Sequence, residues 1–296
     1  MIPLNQSELT DYVQNRTITL PDGTRLPQLG QGTWHMGEQK DKEDDEIYAL
    51  QTGIDAGMTL IDTAEMYGNG GAEKIVGKAI ESRRDDVFLV SKVFPHNAGG
   101  ERLINACEQS LQRLGTETID LYLLHWRGGV PLRETIDGME QLKREGKIQR
   151  WGVSNLDKAD IEELLALPNG ENCTVNQVLY HLGSRGIEYD LLPRMRRAGM
   201  PAMAYCPLAQ AGRLGGKVHE HSVVQSIANE QRVDPLQILL AWVVQASDIF
   251  AIPKTDQSER VWENARAAAI NLTNDELARL DAAFPPPSTK QPLDIV

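Results

Sequence analysis

The chain has 296 residues, 41% hydrophobic and 24% charged, the profile of an ordinary globular protein with room for one large domain or two small ones. Its net charge of -12 argues against nucleic acid or an anionic membrane surface as a partner, so a phosphate-bearing ligand would need a locally basic pocket. Cys107, Cys173 and Cys206 have no CxxC spacing, which speaks against a disulfide framework or structural zinc and for a reduced, cytoplasmic setting.

In chain order, "MIPLNQSELTDYVQNR" lacks a basic start and an apolar stretch, so no signal peptide is expected, and residues 1–16 read as an extension without an assigned role. "TITLPDGTRLP" (17–27) reads as a β-hairpin around Pro21-Asp22-Gly23. Short apolar runs then suggest strands at 29–32, 59–62, 87–93, 121–125, 148–154, 175–179, 201–205 and 250–252. Helical periods lie between them: Leu103, Cys107, Leu111 and Leu114 share one face, and Leu132, Ile136 and Met139 another. "ILLAWVV" (238–244) is too short to span a bilayer and reads as a core helix. "TNDE" (273–276) is a capping box, and the proline-rich 284–296 should be an irregular tail.

Eight strands alternating with helices over about 250 residues suit a single α/β domain, a (β/α)8 TIM barrel with an N-terminal hairpin. A doubly wound sheet is the competing architecture. The polar residues favour the barrel, because chemistry in that fold gathers where strands end. Asp62, His125, Ser154, Asn155 and Tyr205 close their runs, Lys92 lies near the end of its own, Gln177 is inside 175–179, and Lys254 follows 250–252.

Several motifs fail on inspection. "GQGTWH" (30–35) places His35 where a dinucleotide fingerprint needs its third glycine. "GRLGGKV" (212–218) lacks the spacing and the final hydroxyl of a P-loop. "GVSNL" (152–156) lacks the last glycine of a nucleophile elbow. His219 and His221 could bind a metal, but a solvated loop explains them more simply, and no metal site is expected.

Asp62, Tyr67, Lys92 and His125 survive as a group. Each has a bland explanation alone, as a cap, a turn aromatic, a rim charge or a core histidine, but three separate strands aim the set at one rim. The chemistry they could share is proton transfer beside a hydride transfer. A phenol with an ordinary pKa of about 10 is a poor relay, and a neighbouring ammonium lowers it. Lys92 would supply that field, Asp62 the counter-charge Lys92 needs, and His125 a hydrogen bond that orients a carbonyl oxygen.

The ordered pieces "GMTLIDTAEMYGN", "FLVSK", "LYLLHW", "WGVSN", "NQV", "AYCPL" and "IPKT…R..EN" resemble the aldo-keto reductases from about residue 17 to 282, and look most like the small bacterial members related to methylglyoxal reductases. The resemblance implies a barrel that binds NADP(H) without a Rossmann domain, with Asp62, Tyr67, Lys92 and His125 as the catalytic tetrad. It places Ser154, Asn155 and Gln177 on the nicotinamide carboxamide and Tyr205 stacked on the ring, with Gly32, Thr33, Trp34, Asp62, Pro207 and Leu208 also along the cofactor. Lys254, Thr255 and Arg260 would meet a 2′-phosphate, and Glu263 and Asn264 the adenine. Asp256 departs from the pattern: an acid beside the phosphate could weaken NADPH preference, which keeps NAD(H) as an alternative cofactor.

Trp34, Phe94 and Trp126 would line the substrate pocket with Tyr67 and His125. A short loop after His125 and a brief C-terminal tail should leave its mouth open to small or α-oxo aldehydes, with 206–222 as a lid or a passive loop. The expected activity is NADPH-dependent reduction of an aldehyde or small ketone by a monomer or weak homo-oligomer, without membrane or nucleic-acid partners. A non-catalytic NADP(H)-binding sensor or accessory subunit is the alternative, since fold alone does not prove turnover.

Overall fold

The hairpin forms as its turn residues dictate. Strands β1 (Thr17–Thr19) and β2 (Arg25–Pro27) pair antiparallel, Ile18 opposite Leu26. Gly23 adopts a φ of +89°, and the Asp22 carboxylate accepts from the Thr24 amide at 3.0 Å. The computed structural model describes residues 5–210 and 215–296.

Eight parallel strands follow: β3 (Gln31–Gly32), β4 (Leu60–Asp62), β5 (Phe88–Val93), β6 (Ile119–Leu124), β7 (Ile148–Ser154), β8 (Cys173–Leu179), β9 (Ala202–Tyr205) and β10 (Ile249–Ala251). Each pairs with its neighbour in the chain, so the order never reverses. The ring closes where Leu29 bridges Ala251 and the amides of Gly30, Ala251 and Gly32 bond to Ala251, Gln28 and Pro253 at 2.8, 2.8 and 3.0 Å. A doubly wound sheet has a switch point and two free edges, so these bonds decide for the barrel. β3 is shorter than the expected 29–32, because only Gln31 and Gly32 pair with β4, while Leu29 bridges Ala251 alone.

Helices α2 (Glu43–Asp55), α3 (Gly71–Ile80), α4 (Gly100–Leu114), α5 (Leu132–Arg144), α6 (Lys158–Ala166), α7 (Leu191–Arg197), α8 (Ser222–Gln231), α9 (Pro235–Val243) and α10 (Ser258–Arg266) surround the barrel, and α11 (Asn274–Ala283) follows. In α4, Leu103, Cys107, Leu111 and Leu114 are buried on one face, and Gly115 ends the helix at φ +64°. Helix α9 starts at an Asp234–Gln237 capping box with Pro235 in the first turn and is buried from Gln237 to Val243, as a core helix should be. No described helix is long and apolar enough to cross a membrane.

No role is expected for residues 1–16, yet helix α1 (Gln6–Asn15) forms there, capped reciprocally by Asn5 and Glu8. It buries Leu9 and Val13, and the Arg16 guanidinium that follows donates to the carbonyls of Ala268 and Ile270 at 3.2 and 3.0 Å.

The apolar core has two parts. Residues such as Ile61, Leu89, Tyr122, Trp151 and Val178 pack between sheet and helices. Inside the barrel, Leu60, Val90, Leu121, Leu123, Val175 and Met203 stack on Ile18, Leu20 and Leu26 of the hairpin region, which plugs the N-terminal end. Arg150 of β7 fastens the plug, donating to Asp22 at 2.6 Å and to Thr24 at 2.7 Å.

The tail has no regular element, as expected, but it does not leave the mouth clear. Lys290 sits between Asp157 (2.6 Å) and Asp190 (2.9 Å), Ser184 bonds Asp294, and Leu293 packs against the core. These ties carry Val296 into the lining of the cavity at the C-terminal end of the barrel. The P-loop-like stretch 212–218 and the lid 206–222 lie partly outside the described residues. Among the described residues no three metal-binding side chains cluster; His221 instead caps α8, its Nδ1 accepting from the Val223 amide at 3.3 Å.

Candidate active site

Strand pleating builds the site. Side chains two residues apart share a face of a strand, so the inward apolar stack continues into a polar layer at the C-terminal end. Leu60 is followed inward by Asp62, Val90 by Lys92, Leu123 by His125, Gly152 by Ser154, Val175 by Gln177, Met203 by Tyr205 and Ile252 by Lys254. Above this layer lies a cavity of about 530 Å³.

Lys92 is fully buried and uses all three ammonium protons: Nζ donates to Asp62 Oδ2 at 2.7 Å, to the Thr63 carbonyl at 2.9 Å and to the Tyr67 hydroxyl at 3.3 Å. The Gln177 amide donates to Asp62 Oδ1 at 2.7 Å, and Thr33 Oγ1 to the Asp62 carbonyl at 2.9 Å. Burial raises the Asp62 carboxyl and lowers the Lys92 ammonium from their ordinary ranges, and mutual attraction opposes both shifts.

Tyr67 is delivered by a tight turn. Gly68, Asn69 and Gly70 all take positive φ (56°, 51° and 82°) before α3 begins. The turn packs directly on a neighbouring loop: a Cβ on Gly37 would lie 2.3 Å from the carbonyl carbon of Gly71. The expectation that Lys92 acidifies the phenol is not met. Burial first, and the Asp62 charge second, hold the Tyr67 hydroxyl well above its ordinary pKa. Asp62 offsets the field of Lys92, and a buried phenolate lacks hydration, so Tyr67 stays protonated.

Burial, then Lys92, drives the His125 imidazole from 6.5 to about 2, which keeps it neutral. Its Nδ1 is buried with no partner among the described residues, so Nε2 is the nitrogen able to meet a ligand. The ring stands edge-on to Tyr67, centroids 5.6 Å apart, and 4.9 Å from Trp126.

Opposite these groups, Ser154 Oγ donates to the Gln177 carbonyl at 2.9 Å. Asn155, at φ +58°, donates to the His125 carbonyl at 3.2 Å and accepts the Tyr205 hydroxyl at 2.8 Å. Burial raises the Tyr205 phenol pKa. Gly32, Thr33, Trp34, Asp62, Tyr67, His125, Trp126, Ser154, Asn155, Gln177, Tyr205, Pro207 and Lys254 all line the cavity.

Other expected residues do not. Phe94 stands behind Trp126, ring centroids 4.9 Å apart, and its amide is held by Glu65 at 2.6 Å. Leu208 packs partly into the apolar core. Thr255 turns its hydroxyl to the Gln257 amide at 3.1 Å. Arg260 and Glu263 are exposed on α10, Asn264 is buried there, and none of the three lines the cavity. Arg260 has no partner among the described residues. Sequence reasoning missed His35, Met66, Cys206, Gln210, Ile252 and Val296, which also line it. Most are chain neighbours of residues that were found; Val296 gave no local signal. Burial raises the Cys206 thiol to about 11, so it stays protonated.

The sequence profile of the aldo/keto reductase family matches residues 28–284. The chain is 53% identical to methylglyoxal reductase YeaE of Escherichia coli, covering 96% of this chain and all of that one. It is 30% identical to glyoxal reductase of Bacillus subtilis, covering 90% and 92%. An aldo/keto reductase from Klebsiella pneumoniae, solved with NADP and acetate, superposes with a TM-score of 0.93 at 52% identity, covering 95% of this chain and 99% of that one.

Proposed function

The chain belongs to the aldo/keto reductase family, and from that premise we propose that it reduces small neutral α-oxo aldehydes of the methylglyoxal kind, with Tyr67 as the proton donor. It is an NADP(H)-dependent oxidoreductase that converts aldehydes and small ketones to alcohols. The residues present suit the nucleotide. The amides of Asn155 and Gln177 and the hydroxyl of Ser154 converge on one wall, Tyr205 offers a flat face, and Lys254 provides a cation at the cavity edge.

NADPH, when bound, supplies the hydride to the carbonyl carbon. The protein does the rest. Neutral His125 donates from Nε2 to the carbonyl oxygen and orients it. Tyr67 releases its proton to that oxygen as the C–O double bond becomes single. The residual phenolate keeps the Lys92 ammonium as its hydrogen-bond donor, and Asp62 and Thr63 hold the ammonium in place. The tightly held protonated phenol suits the reductive direction, in which a proton is given up only as charge develops on oxygen.

The observation that carries the reading is Lys92 Nζ bridging Asp62 and the Tyr67 hydroxyl beneath the cavity. The neutrality of His125 and the matched charges of Lys92 and Asp62 supply nothing to balance a substrate carboxylate near Tyr67. Methylglyoxal should therefore exceed pyruvate in kcat/KM by at least about a hundredfold, since an uncompensated buried charge costs several kcal/mol. Following NADPH loss with each substrate tests this; equal rates, or NADPH binding with no turnover of either, would defeat it. Nothing favours the non-catalytic sensor. A cytoplasmic, monomeric or weakly associating enzyme fits three unpaired cysteines, and light scattering that showed an obligate oligomer would correct the oligomeric part.

A further inference from the structure

We propose that Asp256 sets how strongly this enzyme distinguishes NADPH from NADH, by holding Lys42 and Lys254 in a bridge that the extra phosphate has to open. The inference rests on the reading above that the cavity binds a nicotinamide dinucleotide. Lys254 is the one lysine or arginine among the described residues lining that cavity, so anionic parts of the nucleotide are drawn toward it. Its ammonium is already engaged: Nζ lies 3.7 Å from Asp256 Oδ2, and Lys42 Nζ lies 3.4 Å from the same oxygen.

The two lysines come from different loops. Lys42 ends the short 3-10 turn Lys40–Lys42 after β3, and Lys254 and Asp256 follow β10. Since β3 and β10 meet where the barrel closes, the bridge spans that seam on the cavity side. Both separations exceed a good hydrogen bond, and the side chains are 45%, 23% and 29% exposed in the order Lys42, Asp256, Lys254. Such a bridge is weak and can be exchanged for a better anion.

A second carboxyl group lies close by. Glu46 is buried one turn into α2, its Oε2 accepting from the Gly37 amide at 2.9 Å; burial raises its carboxyl pKa, and it also feels Lys254, Asp256 and Lys42. With Asp256 shared between them, the two lysines offer less positive charge to a phosphomonoester that carries about -1.5 to -2 at neutral pH. A 2′-hydroxyl makes no such demand, so the acid penalises NADPH and leaves NADH nearly untouched. Converting Asp256 to its amide keeps the shape of the loop and frees both ammonium groups.

The test is fluorescence titration of the full-length protein with NADPH and with NADH, for wild type, Asp256→Asn and Lys42→Met, with unfolding midpoints checking that each variant is folded. Asp256→Asn should tighten NADPH binding about fivefold or more and change NADH less than twofold, as expected for removing a partly exposed like charge beside a phosphate. It should also steepen the salt dependence of NADPH binding relative to NADH. Lys42→Met should weaken NADPH at least about twofold. An unchanged NADPH affinity in either variant, or equal shifts for both nucleotides, overturns the inference. A wild-type protein that binds neither nucleotide would instead defeat the functional reading on which it rests.

Discussion

Replacing Lys92 with methionine removes the cation on which the site is built and leaves its volume nearly filled. Asp62 is then a buried carboxylate, 2% exposed, that keeps only the Gln177 amide as a side-chain donor. Breaking one side of a buried pair costs about 3–5 kcal/mol. The orphaned Thr63 carbonyl adds about 1 kcal/mol. The carboxylate can limit this cost by taking up a proton, because burial already raises its pKa and Lys92 no longer opposes the rise. A folded-state pKa raised above the unfolded value stabilises at low pH, and that stabilisation is lost as pH climbs through the folded pKa. Lys92→Met should therefore fall further behind wild type at pH 8 than at pH 5. Urea unfolding of wild type, Lys92→Met, Asp62→Asn and the double variant at both pH values measures this. The double variant should be less destabilised than the two singles together, by about 2–4 kcal/mol of coupling. A loss below about 1 kcal/mol for Lys92→Met, or additive singles, would refute the reasoning.

The unfolded chain protonates His125 near 6.5 while the native one resists until about 2, so native stability should fall by about 2 kcal/mol between pH 6.5 and 5 from this residue alone; an equally steep acid slope in His125→Gln would contradict it. Gly37→Ala would place a Cβ 2.3 Å from the Gly71 carbonyl carbon at a φ of +71°, and should cost more than about 2 kcal/mol and depress kcat by displacing the Tyr67 turn; near-wild-type stability and kcat would count against that packing. Arg150→Ala cuts the tie to the barrel plug at Asp22 and Thr24 and should lower stability by about 1 kcal/mol with kcat unchanged, so a large fall in kcat would show that the plug reaches the site.

What the sequence carried was the local pattern. Alternation within each run and a polar residue at its end were sufficient to bring Asp62, Lys92 and His125 to one rim, because pleating has a period of two wherever the strand lies. Helix starts were legible for the same reason, as at Thr273–Glu276, and the same signal at Asn5–Glu8 went unread. What stayed hidden depends on partners far along the chain. Lys290 finds Asp157 across 133 residues, so the tail's path to the cavity had no local mark. Phe94 and Trp126 are both aromatics beside the tetrad, and only packing puts one on the cavity and the other behind it. The acidity of Tyr67 turned on burial and the cancelling charge of Asp62, which residue types alone do not weigh.

The most direct test of the account is Tyr67→Phe, assayed for NADPH oxidation with methylglyoxal and, separately, for NADPH binding by fluorescence. The account predicts turnover lowered by at least about a thousandfold, within the range attributed to a positioned general acid, with NADPH affinity within twofold of wild type. A variant that keeps wild-type kcat would contradict it, because the proton would then have to come from somewhere other than the hydroxyl that Lys92 holds.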